Sequence, residues 1–143
     1  MQEIRTEFDI DASAERVWSV LSDFPAYEVW NPFLTRLTGK PDAGTRVDVR
    51  VKYTLLSLTF KTTVLVAIAN RELRWRGTGP SDKIMAAEHY FIIEPISENR
   101  VHFIHGEIFT GWLVPIALFL TKRDARIGYS GMNRALKARA EGA

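Results

Sequence analysis

The sequence contains no cysteine, and this absence excludes several kinds of chemistry. Disulfide bonds, thiol nucleophiles and thiolate metal sites all require that residue, and their exclusion fits a reducing compartment. The N-terminal stretch MQEIRTEFDI also lacks the basic start and apolar core of a signal peptide. We therefore expect a cytoplasmic protein.

Long apolar runs and a strong charge of one sign are absent as well. The longest apolar run, Trp112 to Leu120, is far shorter than the roughly 20 residues that cross a bilayer, so we expect no integral membrane segment. The net charge is only +2, although six cations lie late in the chain: Lys122, Arg123, Arg126, Arg134, Lys137 and Arg139. A solvated helix face explains them more simply than a nucleic-acid site, and we expect no nucleic-acid partner.

Several catalytic and cofactor motifs are missing too. The chain has no serine–histidine–acid arrangement, no phosphate-cradling glycine loop and no HExxH pattern. We therefore expect no cofactor.

The N-terminal quarter has clear secondary-structure signals. Ile4, Thr6, Phe8 and Ile10 alternate with charged residues, which is the period of a half-buried strand. Ser13 stands where a helix N-cap belongs, and an apolar face follows at positions 17, 20, 21 and 24. Pro25 ends this helix, and residues 26–31 have room for only one more helical turn.

Strand-like segments fill the middle of the chain. We predict them at residues 34–38, 47–51, 58–69, 73–78, 87–94 and 100–110, with a hairpin turn at Asn70-Arg71. With the N-terminal strand they make seven strands, which we expect in sequential antiparallel order.

The last segment predicts one long helix beginning near Leu113, with Pro115 tolerated in its first turn. Its predicted core stripe is Leu113, Ile116, Leu120, Ile127 and Leu136. Gly128 and Gly131 each cost a helix interior about 1 kcal/mol relative to alanine, which suggests close packing or space at these positions.

These elements predict an α+β fold in one domain, residues 1–143. A seven-stranded antiparallel curved sheet wraps around the long C-terminal helix, and two short helices follow the first strand. A curved sheet around a helix leaves a hollow between them, and we expect the functional site there.

Five segments carry a resemblance to a known family: IDASAERVWSVLSDFPAYEVWNPF (Ile10–Phe33), ELRWRG (Glu72–Gly77), EHYFIIEP (Glu88–Pro95), HGEIFTG (His105–Gly111) and GMNRALKARAE (Gly131–Glu141). In their order and spacing the chain resembles the SRPBCC superfamily, which has the START-like helix-grip fold. Within it, the chain is similar to the small bacterial polyketide cyclase/dehydrase-like proteins. The resemblance implies a container that relatives use for lipid carriage, hormone sensing or polyketide cyclisation, so it leaves the activity open.

Strand parity selects the residues that face the hollow. Placing Trp75 inward leaves Arg74 and Arg76 outward, which avoids burying two charges. The resemblance implies that His89, Phe91 and Ile93 on one strand face the helix, as do Phe103, His105, Glu107 and Phe109 on the next. Tyr90, Ile92, Ile104 and Ile108 make the opposite face apolar as well.

His89, His105 and Glu107 are the inward candidates for acid–base catalysis, because histidine titrates near neutral pH and a carboxylate is its natural partner. A buried hydrogen-bonded network that joins the strands or orients a ligand is the simpler interpretation. A His–His–Glu metal site is the weakest alternative, and we predict no metal.

The predicted ligand-binding set combines these polar groups with apolar neighbours: Trp30, Asn31, Trp75, His89, Phe91, Phe103, His105, Glu107, Phe109, Leu120 and Ile127. Trp30-Asn31-Pro32 either rims the hollow or forms a packed corner. Trp18 and Trp75 either pack in the core or contact the ligand.

The function we predict is binding of a small hydrophobic molecule, such as a lipid, quinone, polyketide or aromatic metabolite. The alternatives are a cyclase or dehydratase-type lyase using His/Glu chemistry, and an interaction module with an incidental cavity. Residues 64–68 and 90–93 are apolar at both strand parities, which permits a homodimer.

Overall fold

The computed structural model describes residues 1–142, so Ala143, the last residue of the predicted domain, lies outside them. The strands are β1 (Gln2–Ile10), β2 (Leu34–Thr38), β3 (Arg46–Lys52), β4 (Ser57–Ile68), β5 (Glu72–Thr78), β6 (Ala86–Ser97) and β7 (Arg100–Thr110). The helices are α1 (Ala14–Ser22), α2 (Tyr27–Trp30) and α3 (Val114–Glu141), with a 3-10 turn at Phe24–Ala26 between α1 and α2. The α+β helix-grip fold predicted from the sequence is confirmed.

The seven strands form one antiparallel sheet in the order β1-β7-β6-β5-β4-β3-β2. The sequential order is correct from β2 to β7, but β1 pairs with β7 rather than with β2, and Gln2 lies opposite Phe109. Alternation of apolar and charged residues identifies a strand without identifying its partner. The segment containing α1 and α2 carries the chain from one edge of the sheet to the other.

Local signals in the sequence fix both ends of this crossing segment. The Ser13 Oγ accepts a hydrogen bond from the Arg16 backbone N–H at 3.1 Å, which caps α1. The apolar face of α1 buries Val17, Val20 and Leu21. Asn31 ends α2, and its Oδ1 accepts hydrogen bonds from the backbone N–H groups that begin β2.

The long helix α3 packs on the sheet with a face different from the predicted one. Its buried residues are Val114, Leu118, Ala125, Tyr129, Met132, Leu136 and Ala140. Ile116, Leu120 and Ile127 from the predicted stripe are exposed, at 59%, 72% and 57%. The N-terminal half of α3 carries apolar residues on two opposite faces, and the pattern alone did not tell which one the sheet covers.

The two ends of α3 are held differently. At the C-terminal end, Lys137 Nζ donates to the Asp9 carbonyl at 2.8 Å and Arg16 Nη2 donates to the Arg139 carbonyl at 2.9 Å. Nearer the N-terminus, the Thr54 hydroxyl in the β3–β4 loop donates to Asp124 at 2.7 Å. This last contact fixes the loop beside the helix.

Tyr90 accounts for part of the apolar outer face of the sheet. Its side chain lies across Gly106, where an added Cβ would meet the Tyr90 hydroxyl at 2.3 Å. The hydroxyl donates to Glu3 at 2.8 Å, and the Arg74 guanidinium lies 4.8 Å from the ring centroid. Tyr90 is therefore buried without a partner chain, while Leu65 and Ile68 on β4 remain exposed. The homodimer stays a prediction.

A second group on the outer face, the outer-face cluster, joins β1 to β7 and consists of Glu7, Asp9, Arg100 and His102. The two ring nitrogens of His102 lie 2.7 Å from Asp9 and 2.8 Å from Glu7, and Arg100 pairs with Asp9 at 2.9 Å. Hydrogen bonds to Glu7 and then Asp9 raise the pKa of His102. Hydrogen bonds from His102 in turn lower the pKa of both carboxylates.

Candidate functional site

A cavity of about 160 Å³ lies between the sheet and the N-terminal half of α3. From α3 it is lined by Leu118, Thr121 and Ala125, which lie on the buried side of that half. Strands β3 to β7 and their connections supply the rest of the wall: Val49, Val51, Tyr53, Phe60, Thr62, Trp75, Gly77, Thr78, Gly79, Met85, Ala86, Ala87, His89, Glu107 and Phe109. Phe33 and Leu34 complete the lining.

Four residues of the predicted ligand-binding set line this cavity: Trp75, His89, Glu107 and Phe109. Three more, Phe91, Phe103 and His105, do not line the cavity and are fully buried in the core on the same face of β6 and β7. The parity prediction for β6 and β7 is confirmed, because side chains from both strands contact α3. On β7, His105 and Glu107 hydrogen-bond to Asn133 and Tyr129, and on β6 the His89 ring centroid lies 5.7 Å from that of Tyr129.

The remaining predicted residues lie elsewhere. Leu120 and Ile127 point away from the cavity on the exposed face of α3, so placing them inside was wrong. Trp30 and Asn31 lie outside the lining. Asn31 is instead a packed corner, since its Oδ1 accepts from the N–H groups of Phe33 and Leu34, both at 2.9 Å.

Sequence reasoning missed the lining residues of α3 and of the β3–β4 hairpin. Leu118 and Ala125 are seven residues apart, and Tyr129 and Met132 lie on the same face of α3. This second apolar face of the helix was the signal that could have found the lining residues. Tyr53 continues the alternation of Val47, Val49 and Val51 one step beyond β3, so the period of two was the signal that could have found it.

A chain of polar groups crosses the core from β1 to the cavity. The Thr6 hydroxyl donates to the His105 carbonyl at 2.8 Å and accepts from Asn133 Nδ2 at 2.9 Å. Asn133 Oδ1 then lies 2.7 Å from Nδ1 of His105, and Nε2 of His105 lies 2.7 Å from Nε2 of His89. His89 Nδ1 faces Glu107 Oε2 at 3.7 Å.

This chain assigns the proton positions on both histidines. Asn133 presents its oxygen to His105, so Nδ1 of His105 must carry a proton. Burial lowers the pKa of His105 well below its usual range, and the neighbouring His89 adds to the effect. Neutral His105 therefore offers the lone pair of its Nε2, which accepts the proton on Nε2 of His89. The Nδ1 of His89 is left facing Glu107 and the cavity.

Glu107 is the anionic group of the cavity wall. Its Oε1 accepts a hydrogen bond from the Tyr129 hydroxyl. Burial and the charge of Glu107 raise the pKa of Tyr129 well above its usual range, so this hydroxyl keeps its proton and donates. Burial, with Glu107 and Asp124 nearby, also raises the pKa of Tyr53 to about 12. The carboxylate is thus flanked by two protonated tyrosines and one histidine.

The metal alternative has little support in this geometry. Both ring nitrogens of His105 are engaged, Nδ1 by Asn133 and Nε2 by His89, so His105 has no lone pair free for a metal. Among residues 1–142, no group of three or more histidine, aspartate or glutamate side chains is placed to hold a metal ion.

In the same part of the chain, no helix is both long and apolar enough to cross a membrane.

Solved structures of the same fold cover nearly the whole chain. A START superfamily protein from Mycobacterium smegmatis is 23% identical, with a TM-score of 0.77 over 98% of this chain and 97% of its own. The ZhuI aromatase/cyclase from Streptomyces sp. R1128 is 13% identical, with a TM-score of 0.80 over 98% and 93%. Norcoclaurine synthase from Thalictrum flavum is 14% identical, with a TM-score of 0.71 over 97% and 93%.

These identities are low enough that the structures establish the fold alone. No protein among those with curated descriptions matches the sequence significantly. The family described as "Polyketide cyclase / dehydrase and lipid transport" matches residues 1–141. With the helix-grip fold and an apolar cavity under its long helix, the chain belongs to the polyketide cyclase/dehydrase and lipid transport family.

Proposed function

We propose that the cavity binds a small aromatic molecule whose hydrogen-bond donor is accepted by Glu107. The observation that carries this proposal is a carboxylate in the wall of an otherwise largely apolar cavity. Aromatic side chains, among them Trp75 and Phe109, supply flat apolar surface. A few polar groups in such surroundings fix the orientation of a ligand.

The size of the cavity narrows the ligand class. A cavity of about 150 Å³ accommodates a benzene ring, whereas pockets for drug-sized molecules occupy about 300–1,000 Å³. The volume here, about 160 Å³, suits one or two fused rings. An aromatic metabolite therefore fits better than a lipid with long acyl chains.

The polar anchor favours a ligand that donates a hydrogen bond. A carboxylate accepts through about four lone-pair sites. In Glu107, Tyr129 occupies one of them on Oε1, and His89 lies 3.7 Å from Oε2. A phenolic O–H or an N–H group on the ligand would find a free acceptor there. Such a charge-assisted hydrogen bond contributes about 1.5–3 kcal/mol, or roughly 10- to 100-fold in affinity.

Two naphthalene derivatives test this anchor by fluorescence titration. 2-Naphthol donates a hydrogen bond and 2-methoxynaphthalene does not, so the wild-type protein should bind 2-naphthol more tightly. Glu107→Gln keeps the shape of the side chain and removes its charge, so it should reduce the preference. Equal affinities for the two compounds in the wild-type protein would contradict the role of Glu107.

A matched pair of variants on α3 tests the cavity itself. Ala125→Phe places a ring in the cavity, since Ala125 is in its lining, and should abolish binding of both compounds. Ile127→Phe introduces the same side chain two residues away on the exposed face and should leave binding unchanged. If a folded Ala125→Phe variant binds as the wild type does, the ligand lies elsewhere.

A second function, proton transfer in a cyclase or dehydratase-type lyase, is favoured by the arrangement of His89. Its Nε2–H is held by neutral His105, and its Nδ1 faces the cavity beside Glu107. A base whose second ring nitrogen is fixed by another group is the usual design for general acid–base catalysis. Two of the similar structures carry enzyme names, an aromatase/cyclase and norcoclaurine synthase.

Proton abstraction can be measured without knowing the natural substrate. The bicyclic ketone 2-tetralone contains a benzene ring and has acidic hydrogens beside its carbonyl, and nuclear magnetic resonance in D₂O follows their exchange. A catalytic His89 would take a proton from that carbon onto Nδ1 and leave an enolate. His89→Gln should then abolish the acceleration, whereas His102→Gln on the outer face should not. No acceleration by the wild-type protein would leave binding as the function.

A further inference from the structure

The outward face of α3 is apolar over one half of the helix and polar over the other. Ile116, Leu120 and Ile127 follow at spacings of four and seven, which places them on one side, opposite the buried residues. Phe119 flanks them and is 89% exposed. Toward the C-terminus, the same side of α3 carries the exposed polar residues Ser130 and Arg134.

The loop after β3 extends this apolar surface. Leu55 is 93% exposed and Leu56 is also exposed, and the Thr54–Asp124 hydrogen bond holds their loop beside α3. Trp112, also exposed, precedes the helix. We call these residues the apolar patch: Leu55, Leu56, Trp112, Ile116, Phe119, Leu120 and Ile127.

The apolar patch lies directly outside the cavity. Leu118, Thr121 and Ala125 line the cavity from the opposite side of the same helical segment, and Tyr53 lines it from the same loop that carries Leu55. An apolar phase bound at this surface would therefore be separated from the cavity by only the thickness of α3.

Cations accompany the apolar patch. Residues 112–127 contain Lys122, Arg123 and Arg126 and a single acid, Asp124, which is bonded to Thr54. The three cations are exposed, and none takes part in a salt bridge among residues 1–142. Arg123 falls within the apolar stripe itself, so two copies meeting across this patch would bring like charges together.

We propose that the apolar patch docks on an anionic lipid bilayer, with α3 lying in the plane of the surface. A helix with exposed Phe, Leu and Trp and with cations beside them matches the composition of helices that lie at the membrane interface. The aliphatic stem of Arg123 lies along the apolar surface while its charge reaches the lipid phosphates. Because cations outnumber acids beside the apolar patch, we expect binding to require anionic lipid.

Vesicle cosedimentation tests this docking with the full chain and no cavity ligand, so it is independent of the function proposed above. Phosphatidylcholine vesicles containing phosphatidylglycerol should sediment the wild-type protein, and vesicles of phosphatidylcholine alone should sediment much less. Ile116→Ser with Phe119→Ser should weaken binding about tenfold or more, because two large apolar side chains no longer enter the bilayer. Arg123→Gln with Arg126→Gln should weaken it by roughly fivefold per cation.

Ile96→Ser provides the matched control. Ile96 is a comparably exposed apolar residue, and it lies at the end of the β6–β7 hairpin remote from Thr110, about 30 Å along the strand from the N-terminal end of α3 that carries the apolar patch. This variant should bind vesicles as the wild type does. A cooperative urea unfolding transition like that of the wild type shows that the patch variants still fold.

Two results would overturn the proposal. One is equal sedimentation of the wild type and both patch variants with the anionic vesicles. The other is a wild-type dimer in light scattering that Ile116→Ser with Phe119→Ser converts to a monomer while vesicles bind neither protein, since a second copy would then cover the patch.

Discussion

Gly128 lies where α3 meets the side chain of Phe33, and replacing it with alanine should destabilise the protein. An ideal Cβ at position 128 would lie 2.1 Å from Phe33 Cδ1 and 2.4 Å from its Cε1. Ordinary carbon–carbon contacts are about 3.5–4.0 Å, so the ring would have to move by about 1.5 Å. Phe33 is buried and packs edge-on against Tyr129, with ring centroids 5.2 Å apart.

Two opposing free energies set the size of the effect. Overpacking of a core costs about 1–3 kcal/mol, and removing a glycine from a helix interior returns about 1 kcal/mol. We expect a net loss of up to about 2 kcal/mol, near the upper end because a contact at 2.1 Å cannot be absorbed by small shifts. For a chain of this size that corresponds to a melting temperature lower by about 5 °C.

Gly131→Ala is the matched control on the same helix. Its nearest neighbour would be Pro32 Cγ at 3.4 Å, an ordinary contact, so the helix gain of about 1 kcal/mol should dominate. Urea unfolding should therefore give opposite signs for the two substitutions. Since Phe33 also lines the cavity, Gly128→Ala should weaken binding of 2-naphthol as well. An increase in stability for Gly128→Ala would refute this account of the packing.

Three further predictions concern hydrogen bonds. Asn133→Leu leaves the Nδ1–H of fully buried His105 without an acceptor and should lower the free energy of unfolding by about 1–3 kcal/mol in urea titrations. Asn31→Ala leaves two buried N–H groups unpaired and should lower the free energy of unfolding by about 2 kcal/mol or more; a loss well below that value would show that water replaces its oxygen. Protonated His102 stabilises the fold because its pKa is raised, and this contribution is complete below about pH 6.5 and declines as pH rises through the raised value. His102→Gln should therefore flatten the fall in melting temperature between about pH 6 and pH 8, and parallel curves would contradict it.

The local elements of the fold were predictable because their signals lie within short stretches. Ser13 is the N-cap of α1, β2 spans Leu34–Thr38 and β7 spans Arg100–Thr110, all as predicted. Each of these features depends on residues a few positions apart. The inward face of β6 and β7, including His89, was instead implied by the family resemblance, because alternation leaves both faces of these strands apolar.

The features that failed depend on what lies across the core. The partner of β1 is about a hundred residues away, and nothing in its alternation identifies β7. Leu120 and Ile127 form a real apolar stripe, but Leu118 and Tyr129 form another on the opposite side. Only the packed sheet decides between them. The predicted ligand-binding set was therefore wrong for the helix residues Leu120 and Ile127. Its strand residues Trp75, His89, Glu107 and Phe109 do line the cavity.

The pairing of β1 with β7 has a consequence during synthesis of the chain. Strand β1 emerges from the ribosome first, yet Gln2 pairs with Phe109, so about a hundred more residues must be made before its partner exists. At about 5–20 residues per second, β1 remains an unpaired strand for roughly 5–20 s. Its alternating charges, including Glu3, Arg5 and Glu7, are the kind of residue that discourages one nascent strand from pairing with another. These charges thus protect the edge strand β1 from aggregation until β7 has been synthesised.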